Sequence, residues 1–205
     1  MLYRETASAE LLALLEDLMI IEEFHSLRLV GGTALALQIG HRNSVDIDLF
    51  GKHTMDELSL TNVLNKFDNI QKLGGSQSIQ IYLVNGIKVD IVNYPYKWLK
   101  PPLILGDLRI AALEDIAAMK IAAITQRGSK KDFIDIFFLL HKFSMAELFA
   151  FYREKISDGN EWLALRSLTY FEDADNQPNP IMFQKHSWEK IKLYIIREAK
   201  AYGGY

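Results

Sequence analysis

The stretch Val30-Gly31-Gly32-Thr33-Ala34-Leu35-Ala36-Leu37-Gln38-Ile39-Gly40-His41-Arg42-Asn43-Ser44-Val45-Asp46-Ile47-Asp48-Leu49-Phe50 decides how this chain is read. It continues an apolar run from Leu27, broken only by Arg28, which reads as the end of a short strand. The Gly31-Gly32 pair removes Cβ atoms where the backbone turns sharply. Thr33 is a capping residue type, and Ala34 to Leu37 are strong helix formers. Gly40 closes that helix, and the polar run His41 to Ser44 carries the chain back. Val45, Ile47 and Leu49 then alternate with Asp46 and Asp48, the pattern of a strand with one apolar and one polar face.

Each half of this stretch suits one part of a nucleoside triphosphate. A glycine turn that opens a helix presents backbone N–H groups and a positive dipole end to a phosphate. Aspartates at i and i+2 leave the same side of a strand about 6–7 Å apart. Such a pair can share one hard cation or hold two, because hard cations prefer carboxylate oxygen. A tight turn followed by an edge strand with two solvated aspartates is the plain alternative. The ordered combination is more specific than either part.

Downstream, Ile79, Ile81 and Leu83 alternate with polar residues, and Asn85-Gly86 is the preferred two-residue hairpin turn. The return strand is Ile87 to Val92, in which Asp90 shares a face with Lys88 and Val92. A carboxylate inside an apolar strand is costly unless satisfied. Were Asp90 to join Asp46 and Asp48, the bare acids would repel by roughly 2–4 kcal/mol per pair at an effective dielectric near 20. A divalent cation, a shared proton or a nearby lysine would relieve that repulsion. The Gly74-Gly75 pair precedes a strand pattern rather than a helix, so Leu73 to Gln77 reads as a loop and not as a phosphate seat.

A helix over 112–127 carries Lys120 on its apolar face, with Ile116 and Ala117 before it and Ala123 and Ile124 after it. A lysine there must snorkel, pair with an acid or lose its charge. Arg127 lies on nearly the same stripe. After the Gly128-Ser129 turn the next helix opens with Lys130-Lys131 and places Asp132 and Asp135 side by side at i and i+3. These residues form either an interhelical ion-pair network or a phosphate contact through Lys120, oriented by the aspartates.

Gly31-Gly32-Thr33 followed by Asp46-Ile47-Asp48 resembles the signature of the polymerase-β-like nucleotidyltransferases. The wording Gly-Gly-Thr-Ala-Leu-Ala-Leu…His-Arg-x-Ser-x-Asp-Ile-Asp-Leu-Phe is similar to the AbiEii/AbiGii-type toxins of bacterial abortive-infection and toxin–antitoxin systems. The downstream run from Lys120 through Arg127 to Lys131-Asp132-x-x-Asp135 is similar to the same family, so the likeness covers about residues 28–140. It implies an NTP co-substrate held by Gly31, Gly32, Thr33, Lys120 and Arg127. It implies Mg²⁺ (or Mn²⁺) on Asp46, Asp48 and Asp90, with Asp90 matching the third acidic position. Catalytic weight falls on Asp46, Asp48, Asp90, Lys120, Asp132 and Asp135. The expected partners are an acceptor, for which Arg127, Lys130 and Lys131 hint at RNA, and a cognate antitoxin. A small-molecule (antibiotic-type) nucleotidyltransferase and a non-catalytic nucleotide-binding module are the alternatives.

The rest of the chain frames this reading. The 205 residues, 49% hydrophobic and 24% charged, suit a globular protein with an ample core. The formal charge of −3 supplies no global field for nucleic acid. The absence of cysteine excludes disulfides and thiolate metal sites. No signal peptide begins at Met1 and no apolar run reaches membrane-spanning length, so a cytoplasmic protein without a membrane partner is expected. The five histidines show no metal-ligand spacing. His41-Arg42 reads as a surface loop or a substrate contact. Residues 7–24 and 54–68 read as helices, and Trp98 to Pro102 breaks regular structure. Beyond it come helices at 144–156 and 161–170, an acidic loop from Glu172 to Pro180, and a closing helix from Trp188 to Ala201. The expected fold is α/β (α+β): a nucleotidyltransferase-like mixed sheet with flanking helices in residues 1–104, then a C-terminal helical bundle in 105–205.

Overall fold

The computed structural model describes residues 2–204. Helix α1 (Ala9–Met19) starts where the Ser8 side chain accepts the Leu11 N–H, and it buries Leu11, Leu14, Leu15, Leu18 and Met19. It stops short of the helix expected over 7–24. A 3-10 turn at Glu22–Phe24 follows, because Ile21 and Phe24 are buried while Ile20 is exposed, a pattern one continuing stripe would not produce. Strand β1 (Arg28–Leu29) leads into α2 (Gly31–Ile39), and β2 (Ile47–Gly51) returns. Helix α3 (Glu57–Leu64) begins at Asp56, which caps the Ser59 N–H, and is shorter than expected at both ends.

Strands β3 (Ile70–Gly75), β4 (Ile79–Val84), β5 (Ile87–Asn93), β6 (Leu103–Leu105) and β7 (Leu108–Ile110) complete one sheet of order β3-β4-β5-β2-β1-β7-β6. The β2–β5 and β1–β7 pairs are parallel and the others antiparallel. Asn85 and Gly86 both take positive φ, 50° and 81°, as the two-residue turn between β4 and β5 requires. The glycines read as part of a loop at 73–77 instead pair with β4 in edge strand β3, Gly74 with Ile81 and Gly75 with Gln80, after a β-bulge at Leu73 where the register shifts between Lys72 and Gly74. A Cβ on Gly75 would lie 2.3 Å from the Ile79 carbonyl oxygen, so only glycine allows that pairing.

The chain divides into two compact units. The first comprises residues up to Ile39, Ser44–Pro95 and Pro101–Ala111, and holds the whole sheet. Its core is built from fully buried Ile47, Leu49, Val89, Ile91 and Ile110 with Leu15, Leu18 and Leu35, each contributing about 1.5–3 kcal/mol of burial. The boundary expected after residue 104 would cut the β6–β7 hairpin, which joins the sheet where Leu29 pairs with Ile110. The division falls after Ala111 instead.

The second unit comprises Gly40–Asn43, Tyr96–Lys100 and the chain from Ala112. Its helices are α4 (Leu113–Gln126), α5 (Lys130–Leu139), α6 (Met145–Lys155), α7 (Glu161–Ser167), α8 (Glu172–Asp175) and α9 (Trp188–Gly203). Helix α6 opens with a full capping box between Ser144 and Glu147. Helix α8 occupies the start of the expected acidic loop, where Ala174 is buried and Phe171 packs 4.7 Å from Phe133.

Candidate active site

In the first unit, β2 and β5 run parallel in a register that sets Asp48 opposite Asp90. Directly opposed residues of neighbouring strands share a face, so both carboxylates leave the same side of the sheet. Ile47, Leu49, Val89 and Ile91 alternate with them and fill the core on the other side. Lys88 precedes Asp90 by two residues on the same face, and its Nζ lies 2.6 Å from each carboxylate oxygen. The nearby lysine foreseen as one way to satisfy Asp90 is therefore present. The pair is partly open, with side-chain exposures of 38% for Lys88 and 19% for Asp90.

Gly31 opens α2 at φ 69°, and a Cβ there would lie 2.1 Å from Asp48 Oδ2. The Asp48 carboxylate thus packs against the first residue of a helix whose opening N–H groups lack intrahelical acceptors. The Val30 N–H donates to the Asp48 carbonyl at 2.9 Å, fixing strand and helix start together. Gly32 is the second helical residue and has no positive φ. Thr33, expected as a cap, lies buried inside the first turn. Its hydroxyl donates to the Asp46 carbonyl and lies 2.8 Å from Ser44 Oγ, tying the helix start to the acidic segment.

The convergence of three acids expected from the sequence is not assembled. Among the described residues, no group of three or more Asp, Glu, His or Cys side chains is arranged to hold a metal ion. Asp46 precedes β2, which begins at Ile47, so strand alternation does not force it into line with Asp48. The arrangement fits a hard cation in donor chemistry, through paired carboxylates, and falls short of a preformed three-carboxylate cage.

In the second unit, Lys120 is 5% exposed. Its Nζ lies 2.9 Å from Asp132 Oδ1 and 2.5 Å from Asp135 Oδ2. Arg127 contacts both oxygens of Asp132, at 2.9 and 3.2 Å, and the Ser129 hydroxyl donates to the same carboxylate at 2.5 Å. Arg42 grips Asp135 with Nε at 2.7 Å and Nη2 at 2.9 Å, and His41 Nε2 lies 2.7 Å from Asp135 Oδ1. His41 and Arg42, read as a surface loop or substrate contact, are 0% and 2% exposed. Nothing in their local sequence shows this, because the partner is 93 or 94 residues away.

Burial opposes ionisation of Asp132, but Lys120, Arg127 and Ser129 outweigh it and pull its carboxyl down to about 2. Burial likewise opposes charge on Asp135, and Arg42, Lys120 and His41 hold it well below the ordinary carboxylate range. Burial also works against the Lys120 ammonium, yet the two aspartates raise its pKa. Burial lowers His41 more than Asp135 raises it, so the imidazole is neutral at pH 7 and donates through Nε2. Its Nδ1 is buried without a hydrogen-bond partner among the described residues. Lys120, Arg127 and Arg42 face two carboxylates, leaving the cluster with one positive charge in excess.

A second buried pair went unread in the sequence. Lys155 Nζ lies 2.7 Å from Asp115 Oδ1, with both side chains fully buried. Asp115 accepts the N–H groups of Leu99 and Lys100, and Lys155 donates to the Lys97 carbonyl with its Nζ 4.3 Å from the Trp98 ring. The Trp98–Lys100 breaker is thereby fastened to α4 and α6. Lys130 is also removed from the expected basic cluster, since it is buried and donates to the carbonyls of Asp175 and Gln177.

The family model described as "Nucleotidyl transferase AbiEii toxin, Type IV TA system" matches residues 13–201. The chain belongs to this AbiEii family. An uncharacterized protein of Aquifex aeolicus (strain VF5) is 36% identical over 180 residues, covering 85% of this chain and 86% of the relative. A crystal structure of a putative nucleotidyltransferase from H. pylori matches with TM-score 0.59 and 18% identity, covering 95% of each chain. MenT4, a nucleotidyltransferase toxin from Mycobacterium tuberculosis H37Rv, matches with TM-score 0.57 and 15% identity, covering 92% of this chain and 83% of its own. The AbiEii assignment and the mixed sheet agree on a nucleotidyltransferase fold of the toxin class. Among the described residues no helix is long and apolar enough to cross a membrane, and the chain has no cysteine to form a disulfide.

Proposed function

We propose that this protein transfers a nucleoside monophosphate from an NTP to an acceptor hydroxyl, as the toxin of a toxin–antitoxin pair. The observation that carries the reading is the register of β2 and β5, which sets Asp48 and Asp90 on one face with Asp48 against the Gly31-led helix start. The N–H groups at Gly31, Gly32 and Thr33 are assigned to the triphosphate. Asp46 and Asp48 are assigned to Mg²⁺ or Mn²⁺, joined by Asp90 when Lys88 lets go. Bound there, the ion would polarise the α-phosphate and neutralise charge on the departing pyrophosphate. Asp90 is assigned the proton of the acceptor hydroxyl as its oxygen bonds to phosphorus and the bond to pyrophosphate breaks.

Lys120 and Arg127 are assigned to phosphate charge, with Asp132 and Asp135 as the residues that orient them. The excess positive charge of their cluster supports this assignment. RNA is the proposed acceptor, supported by exposed Arg127 and Lys131. An antitoxin is the proposed partner and the cytoplasm the proposed compartment. The test incubates the purified chain with α-labelled NTPs, Mg²⁺ and total RNA, alongside Asp48→Asn. Label in RNA with release of pyrophosphate, lost in the variant, is the expected result. Label in small molecules alone would favour the antibiotic-type reading. Nucleotide uptake without pyrophosphate would leave only a binding module.

A further inference from the structure

Strand β6 ends the sheet, and all three of its residues are apolar and exposed: Leu103 at 40%, Ile104 at 54% and Leu105 at 40%. Successive strand residues point to opposite faces, so this strand is uncovered on both. Leu105 and Leu108 close the β6–β7 hairpin and Ile104 lies opposite Arg109. In such a hairpin the closing pair exchanges both ladder bonds, and the next residue turns its N–H and C=O to the outer edge. Ile104 therefore offers one donor and one acceptor to an incoming strand. Beside it lies a cavity of about 480 Å³ formed by α1 and the β6–β7 turn. Exposed Ile20 and Leu105 give it apolar surface, and Glu16, Asp17 and Asp107 stand on its rim with Arg4, which pairs with Glu16 at 2.8 Å.

We propose that this edge is a docking surface for an extended segment of another protein whose apolar residues alternate with lysine or arginine. The segment would add a strand along β6, where main-chain bonds hold it and alternate side chains reach the cavity. Charge selects this occupant over a second copy of the chain. With Glu16 paired to Arg4, Asp17 and Asp107 leave the cavity lining with two acids in excess. Two copies paired through β6 would set those acids against each other, whereas a basic segment meets them with opposite sign. The inference does not depend on the nucleotidyl-transfer reading.

The test uses the full chain and a short fluorescein-labelled peptide alternating valine and lysine, with a valine–glutamate peptide as control. Fluorescence anisotropy should show the lysine peptide binding, at least about tenfold tighter than the control. Ile104→Pro removes the outward N–H without taking a bond from the β6–β7 ladder, and should abolish binding while circular dichroism stays unchanged. Asp17→Lys should weaken it about tenfold. Amide exchange should slow at Ile104 in the complex. No binding, equal binding of the two peptides, or binding indifferent to Ile104→Pro would overturn the proposal. So would a concentration-dependent dimer in sedimentation that Ile104→Pro dissolves, since the occupant would then be a second copy.

Discussion

Asp48 and Asp90 stand in register on neighbouring strands, part-buried, with Lys88 on Asp90 and the glycine start of a helix against Asp48. Asp132 and Asp135 are wholly buried and gripped by Lys120, Arg127, Ser129, Arg42 and His41. In the helical unit both carboxylates are fully paired, and the one surplus positive charge lies in a cluster whose exposed member is Arg127. In the sheet unit the acids keep access to solvent, so a cation can still reach them. The difference teaches where chemistry and where architecture have the stronger claim. Partly exposed carboxylates can exchange partners for a ligand, while fully buried, paired ones hold a fold.

The strongest way to break this contrast is to remove one saturated acid. Asp135→Ala leaves Arg42 and Lys120 buried and short of an anion, and should cost about 3–5 kcal/mol in urea unfolding. A loss near zero would make the helical cluster as adaptable as the sheet pair. Asp48→Asn should reduce nucleotidyl transfer by on the order of a hundredfold or more while the melting temperature changes little. Unchanged transfer would remove the sheet acids from the chemistry.

Acid should separate the regions next. The folded pKa of Asp132 is depressed to about 2 from 3.8, so the unfolded chain binds the proton first. Its contribution, about 2 kcal/mol, is present above pH 4 and is lost as pH falls from about 4 through about 2. Urea midpoints of the parent and Asp132→Asn across that range should converge at low pH. Gly31→Ala places a Cβ against Asp48 at a positive φ and should cost about 1–2 kcal/mol, with transfer falling beyond what the stability loss explains. The smallest effect belongs to Lys88→Met. A partly exposed pair is worth about 0.2–1 kcal/mol, so freeing Asp90 should tighten Mn²⁺ binding in calorimetry by less than about fivefold.

The sequence by itself determined the strand–glycine–helix–strand unit, the Asn85-Gly86 hairpin, the positions of α4, α5, α6 and α9 within a few residues, and the family. All of these rest on short-range periodicity and turn chemistry, which a window of a few residues contains. It also foresaw Lys120 and Arg127 meeting Asp132 and Asp135, because a short turn leaves two helices few ways to pack. Only the tertiary structure decided that Asp48 stands with Asp90 while Asp46 falls outside the strand, and that His41 and Arg42 close on Asp135. It also drew Gly74-Gly75 into β3 behind a bulge at Leu73, hid Lys130, and carried Leu103 to Ile110 into the sheet. Apart from the β3–β4 pairing, which is local, each of these depends on register or pairing between segments far apart in the chain. That is settled by which buried charges and apolar faces can be satisfied together, a condition no local pattern records.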